Sequence, residues 1–178
     1  MDGPETMRDF LQQHNDIRHE YLKVAEGGVY LDPTVVQTVL GSCLGVAFHV
    51  PSKGIGAFFH AFLPRCADFE KRCETPGYRF VDTAITSVME RFTCLGVRPD
   101  MLKVGLVGGA NGLVREQAGV GGRNVEVAYE TLEQFGIRPE FAEVGGRRGR
   151  KVVFLSSTGE LRIAKLRKFV APAVRSAG

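Results

Sequence analysis

Two apolar segments joined by a short polar turn constrain this chain more than any other stretch. Leu44-Gly45-Val46-Ala47-Phe48 and residues 55–62 flank Pro51-Ser52-Lys53-Gly54. Apolar runs of that length, bounded by Pro and Gly, read as half-buried strands joined by a turn. An antiparallel return brings the end bearing His60 back towards the start bearing Cys43, which follows the Gly41-Ser42 turn. A thiol and an imidazole on neighbouring strand ends are the minimum for nucleophilic catalysis. The imidazole either takes the thiol proton or pairs with the thiolate, lowering a pKa near ~8.5 by one to several units. Thr38 lies in the preceding strand, where its hydroxyl could hydrogen-bond a His60 ring nitrogen and fix the tautomer. The plainer alternative is packing, because free Cys is among the most buried residue types and a His among phenylalanines is commonly a core side chain.

The rest of the chain reads as scaffold. Residues 78–95 carry the clearest helical periodicity, through Val81, Ala84, Ile85, Val88, Met89, Phe92 and Leu95, with Gly96 as C-cap. Met89 and Cys94 are then packing residues. A strand over 101–107 runs into Gly108-Gly109-Ala110-Asn111-Gly112. That turn lacks both the G-x-G-x-x-G spacing and the Walker lysine, so its glycines point to close approach of another chain, with a substrate helix as the candidate. Asn124 is expected to cap a helix over 125–135 closed by Gly136. Residues 138–144, 151–155 and 160–167 read as strands, the last two joined by a hairpin turn at Ser156-Ser157-Thr158-Gly159.

Upstream, residues 21–25 and 29–31 read as two short strands before Asp32-Pro33. Residues 1–20 are expected to form a helical or mobile extension, with His14, His19 and Glu20 as surface groups. The loop over 65–77 is expected to be irregular, with Cys66 and Cys73 as incidental thiols, and residues 169–178 a mobile tail. One domain over 21–168 remains.

Composition narrows the function classes. The 178 residues are 44% hydrophobic and 24% charged, ordinary for a globular chain, and 22 glycines favour turns over long helices. A net charge of +3 is small. Arg147, Arg148, Arg150 and Lys151 form a basic cluster, but without interleaved aromatics it does not resemble a nucleic-acid platform; it reads as a solvated loop or a surface for acidic helices. Four cysteines without C-x-x-C spacing give no support for a metal site, and no cofactor is expected. With no leader or apolar run of bilayer length, a reducing cytoplasmic setting is expected, without membrane insertion.

Four motifs in order resemble the CheD family of chemoreceptor glutamine deamidases. They are Leu40-Gly41-Ser42-Cys43-Leu44-Gly45-Val46 with His60-Ala61-Phe62-Leu63-Pro64, then Gly108-Gly109-Ala110-Asn111, then Gly122-Arg123-Asn124-Val125, then Gly145-Gly146-Arg147-Arg148-Gly149-Arg150-Lys151. The resemblance spans residues 21–167. It implies an α/β fold of the α+β type, a largely antiparallel β core packed against two principal helices, similar to the catalytic domain of cytotoxic necrotising factor toxins. It also implies hydrolysis of glutamine side-chain amides, and in some members glutamyl methyl esters, on the cytoplasmic helices of methyl-accepting chemotaxis receptors. Cys43 would be the nucleophile, forming a thioester, His60 the acid and base, and Thr38 its orienter, although some members carry the Thr where this chain has Gln37. Gly41, Ser42, Gly108, Gly109 and Ala110 would line the substrate, with the Cys43 and Ser42 amides facing the oxyanion. The alternatives are a non-catalytic regulator binding a CheC-type phosphatase or a receptor, and a Cys peptidase, for which no peptidase signature is present.

Overall fold

The computed structural model describes residues 6–73, 77–111 and 119–166. Its elements, in chain order, are α1 (Met7–Gln13), β1 (Arg18–Tyr21), β2 (Gly27–Tyr30), β3 (Thr34–Leu40), β4 (Leu44–Val50), β5 (Ile55–Ala61), α2 (Val81–Cys94), β6 (Lys103–Gly108), α3 (Val120–Gln134), β7 (Phe141–Val144), β8 (Arg150–Leu155) and β9 (Glu160–Lys165). Two sheets result, one ordered β1-β3-β8-β9 and the other β2-β5-β4-β6-β7. Among the described strands, the β1–β3 and β6–β7 pairs are parallel and the others antiparallel. The α+β class and the largely antiparallel core read from the sequence are therefore present.

The hairpin forms as expected. Gly54 closes the turn with its amide on the Val50 carbonyl at 3.0 Å, and its φ of +61° lies in the left-handed region that glycine tolerates. Alternation along β4 and β5 then sorts side chains between two cores. Val46, Phe48, Ala57 and Phe59 pack with Ile85, Val88 and Phe92 of α2 and with Val127 and Leu132 of α3. Ala47 and Phe58 face Val36, Leu40, Val152 and Phe154 of the other sheet. Both strands are buried at every position instead of half-buried, because helices cover one face and a second sheet the other.

Several local expectations are corrected. α3 begins at Val120, five residues before the expected start, from a left-handed Gly119 that offers no side-chain cap. Asn124 is thus inside the helix and does not cap it. Gly121 permits the early start: a Cβ there would stand 2.4 Å from the Ala110 carbonyl oxygen. Cys94, expected to pack, lies exposed as a free thiol on the outer side of α2. Cys66 and Cys73 are joined in a disulfide, with Cys66 buried among Leu63 and Phe80. The amino-terminal segment contributes a helix and a strand. Phe10 of α1 is buried on Val35, Val153 and Leu155, on the side of β3 and β8 away from the inter-sheet core. The tail after residue 168 lies outside the described residues. No helix among the described residues is long and apolar enough to cross a membrane.

Phe48 joins these layers, with ring centroids 6.3 Å from Phe59 and 6.2 Å from Phe92. Phe48→Ala is expected to lower stability by about 3–5 kcal/mol, read as a lower urea midpoint.

Candidate active site

Residues Gly41, Ser42 and Cys43 carry the chain from β3 in one sheet to β4 in the other. The β4–β5 register pairs Gly45 with His60 and Leu44 with Ala61. Alternation therefore puts Cys43, Gly45 and His60 on the face turned towards the first sheet, where Cys43 packs against the inter-sheet core. Thr38 projects into the same space from β3, between Val36 and Leu40. Gln37 alternates to the other face of β3, opposite Val153 of β8. The structure thus brings Thr38, and not Gln37, to the histidine.

A hydrogen count sets the state of the ring. The Thr38 hydroxyl donates to the Leu22 carbonyl at 2.9 Å, and its oxygen lies 2.8 Å from His60 Nδ1. Having spent its only hydrogen on Leu22, the hydroxyl can only accept from the ring, so Nδ1 carries the proton and Nε2 a free lone pair. Nε2 is buried and has no hydrogen-bond partner. The His60 main chain is held too. Its amide donates to Glu26 and its carbonyl accepts from Ala25, both at 2.8 Å. Ala25 adopts a left-handed φ of 64° in the turn that makes this clasp.

Burial sets the electrostatics. Desolvation pushes the Cys43 thiol above its ordinary value, with the residue's own amide acting on the sulfur in the opposite sense. Desolvation pushes His60 below its ordinary value, opposed in part by the Leu22 carbonyl and the Glu26 charge. The lowered thiol pKa expected from the Cys–His juxtaposition is therefore reversed. Both shifts favour the uncharged forms, thiol and imidazole.

The glycine-rich residues hold the Cys43 turn from behind. Ala110 donates its amide to the Gly41 carbonyl at 2.9 Å, and Gly109 donates to the Cys43 carbonyl at 2.8 Å. Gly108 has a φ of +112°, and a Cβ there would stand 2.4 Å from the Cys43 carbonyl oxygen. The close approach these glycines permit is to the chain's own Cys43 turn. Ser42 is buried, while Gly41 and Cys43 are partly open.

Two further residues were not read as part of the site. Asn124, fully buried, donates from Nδ2 to the Ser42 carbonyl at 3.0 Å and the Phe62 carbonyl at 3.1 Å. A polar residue on the helix face that also bears Val127, Ala128 and Thr131 was the available signal. Arg150, placed by its sequence in a basic surface cluster, is 3% exposed and reaches the Gly145 carbonyl at 2.9 Å, Glu143 at 3.1 Å and the Gly108 carbonyl at 3.4 Å. Among the described residues no group of three or more His, Cys, Asp or Glu side chains converges as metal ligands do.

Residues 62–165 match the family model described as CheD chemotactic sensory transduction, a stretch that begins just past His60. Curated relatives extend the likeness over the residues before it. A probable chemoreceptor glutamine deamidase CheD of Nitratidesulfovibrio vulgaris is 41% identical, covering 88% of this chain and 82% of its own. A protein of the same name from Maridesulfovibrio salexigens is 39% identical, covering 88% and 97%. The chemoreceptor glutamine deamidase CheD of Thermotoga maritima is 32% identical, covering 80% and 89%.

Nitrogen NMR of ring-labelled histidine is expected to show His60 protonated at Nδ1 and bare at Nε2 near neutral pH. Its titration should fall below the ordinary histidine value of about 6.5. Since the folded state disfavours the charged ring, its contribution to stability is present above about 6.5 and is lost as pH falls from there through the folded value. Thr38→Val removes the acceptor and should admit the Nε2–H tautomer; an unchanged tautomer ratio in that variant contradicts the hydrogen count.

Proposed function

The chain belongs to the CheD family, and from that footing we propose that it is a protein-glutamine deamidase acting on methyl-accepting chemotaxis receptors. The observation that carries the reading is the buried, bare Nε2 of His60, whose ring Thr38 holds through Nδ1 on the strand face that also bears Cys43. A packing histidine would have that nitrogen satisfied or turned to solvent.

The chemistry follows from the neutral resting pair. As the Cys43 sulfur adds to the carboxamide carbon of a glutamine, His60 Nε2 takes the thiol proton. The tetrahedral oxyanion would be met by the Cys43 amide, with Gly41 and Ser42 shaping the approach; one such donor is worth roughly 3–4 kcal/mol. The carbon–nitrogen bond breaks as imidazolium returns the proton to the leaving nitrogen, releasing ammonia and leaving a glutamyl thioester. Water then attacks, giving its proton to His60, and the carbon–sulfur bond breaks to yield glutamate and a thiol that takes the proton back. Thr38 keeps Nδ1 protonated throughout. Gly108, Gly109 and Ala110 act from beneath by fixing the nucleophile's turn. A glutamyl methyl ester would enter the same sequence with methanol as the leaving group.

The substrate surface in this reading is the receptors' cytoplasmic helices, which sets the reaction in the cytoplasm. A CheC-type phosphatase is the second partner we propose.

Mass spectrometry of a receptor cytoplasmic fragment is expected to show specific Gln-to-Glu conversion by the wild-type protein and none by Cys43→Ala. His60→Ala should lower the rate by about 10²–10⁴. Wild-type activity should persist as pH falls past ~6.5, because burial holds the folded His60 titration below that ordinary value. Folded wild-type protein that converts no glutamine in several receptors, or a Cys43→Ala protein as active as wild type, overturns the proposal.

A further inference from the structure

Asn124 is spent in an unusual way. It sits inside α3 with no exposed surface, and both bonds from its amide nitrogen go to main-chain carbonyls outside the helix. One carbonyl belongs to Ser42, the residue before the thiol. The other belongs to Phe62, two positions beyond the imidazole. The β4–β5 ladder ends at the Leu44–Ala61 pair, and beyond it the Phe62 amide turns away to the Arg79 carbonyl at 2.9 Å. At the mouth of the hairpin the link from Ser42 to Phe62 therefore runs through the Asn124 side chain. We infer that Asn124 is a positioning residue of this site: its amide holds the turn bearing Cys43 at a set distance from the strand end bearing His60.

The other end of the side chain supports the assignment. Asn124 Oδ1 is buried without a partner. An unsatisfied buried acceptor is costly, and an aliphatic side chain of similar size would avoid the cost. What the amide supplies in return is two donors directed at two segments far apart in the chain, Ser42 and Phe62. Neighbouring contacts make the turn responsive to such a tether. The Gly41 and Cys43 carbonyls accept from the amides of Ala110 and Gly109, and the Ser42 carbonyl between them accepts from Asn124, so the side chain ties the turn at its centre. A shift of this turn would move the thiol relative to the imidazole while leaving the sheets intact.

The inference rests on the thiol–imidazole reading, so the experiment separates the two. The readout is the rate at which iodoacetamide alkylates Cys43 near neutral pH without receptor, followed by peptide mass spectrometry. A Cys94→Ser background removes the competing exposed thiol. Asn124→Ala, and Asn124→Asp of equal volume, are each measured alone and combined with His60→Ala, with thermal melts to establish folding. Asn124→Ser, which keeps one donor, replaces the alanine variant should that one melt below the assay temperature.

Each Asn124 variant is expected to slow alkylation by roughly tenfold or more, in the range that small misplacements cost. Each should lower kcat on a receptor fragment with KM little changed, and have no further effect once His60 is alanine, since a tether acting through the pair has nothing left to align. An equal drop in both backgrounds, or a rate unchanged or raised, overturns the role. His60→Ala alkylating at the wild-type rate overturns the pair and the inference with it. Intact coupling without receptor conversion overturns the substrate alone.

Discussion

The Thr38 hydroxyl has one hydrogen, and it goes to the Leu22 carbonyl. That leaves the oxygen as an acceptor at 2.8 Å from His60 Nδ1, and the ring must protonate there and stay bare at Nε2. The acid–base role proposed for His60 depends on this single arrangement, because a ring of the opposite tautomer would carry a proton on Nε2 and could not accept one there. Leu22 is fixed in turn by its amide on the Gln37 carbonyl at 2.8 Å. The chain that sets the proton thus begins in main-chain pairing.

The site's electrostatics follow from where it is buried. The corner between two packed sheets strips both groups of part of their water, so thiol and imidazole both resist ionisation. A neutral pair gives up the head start of a preformed thiolate. In exchange it leaves the proton transfer to the moment a carbonyl carbon accepts the sulfur, which suits chemistry confined to a bound amide. Such a pair works only if its geometry is held. The tight contacts of Gly108, Gly109 and Ala110 behind the Cys43 turn, the Asn124 amide and the buried Arg150 guanidinium all bear on that requirement.

What was legible in the sequence was local or periodic. The apolar pair around Pro51–Gly54 announced β4 and β5, the 3.6-residue pattern announced α2, and Thr38 and His60 meet through a hydrogen bond, with Cys43 packed against the inter-sheet core that their strands share. What was not legible depended on partners distant in sequence. Asn124 has the composition of a helix cap, and only the approach of Ser42 and Phe62 gives it another use. Gly121 and Gly122 weaken the helical signal of the first turn of α3, although packing against Ala110 is what requires a glycine there. Arg150 reads as one of four cationic residues in a loop, yet it is buried by carbonyls from Gly108 and Gly145. The thiol's raised pKa is likewise a matter of burial, which a Cys–His spacing does not encode.

The account's central claim is that a glutamine side chain passes through a covalent bond to Cys43. Hydroxylamine partitioning tests it most directly: a receptor fragment is treated with the protein in increasing hydroxylamine, and the modified positions are read by mass spectrometry. A Cys43 thioester predicts glutamyl hydroxamate growing at the expense of glutamate at the same residues, with neither product formed by Cys43→Ala. Glutamate formed alone at every hydroxylamine concentration, with Cys43→Ala retaining the activity, would contradict it.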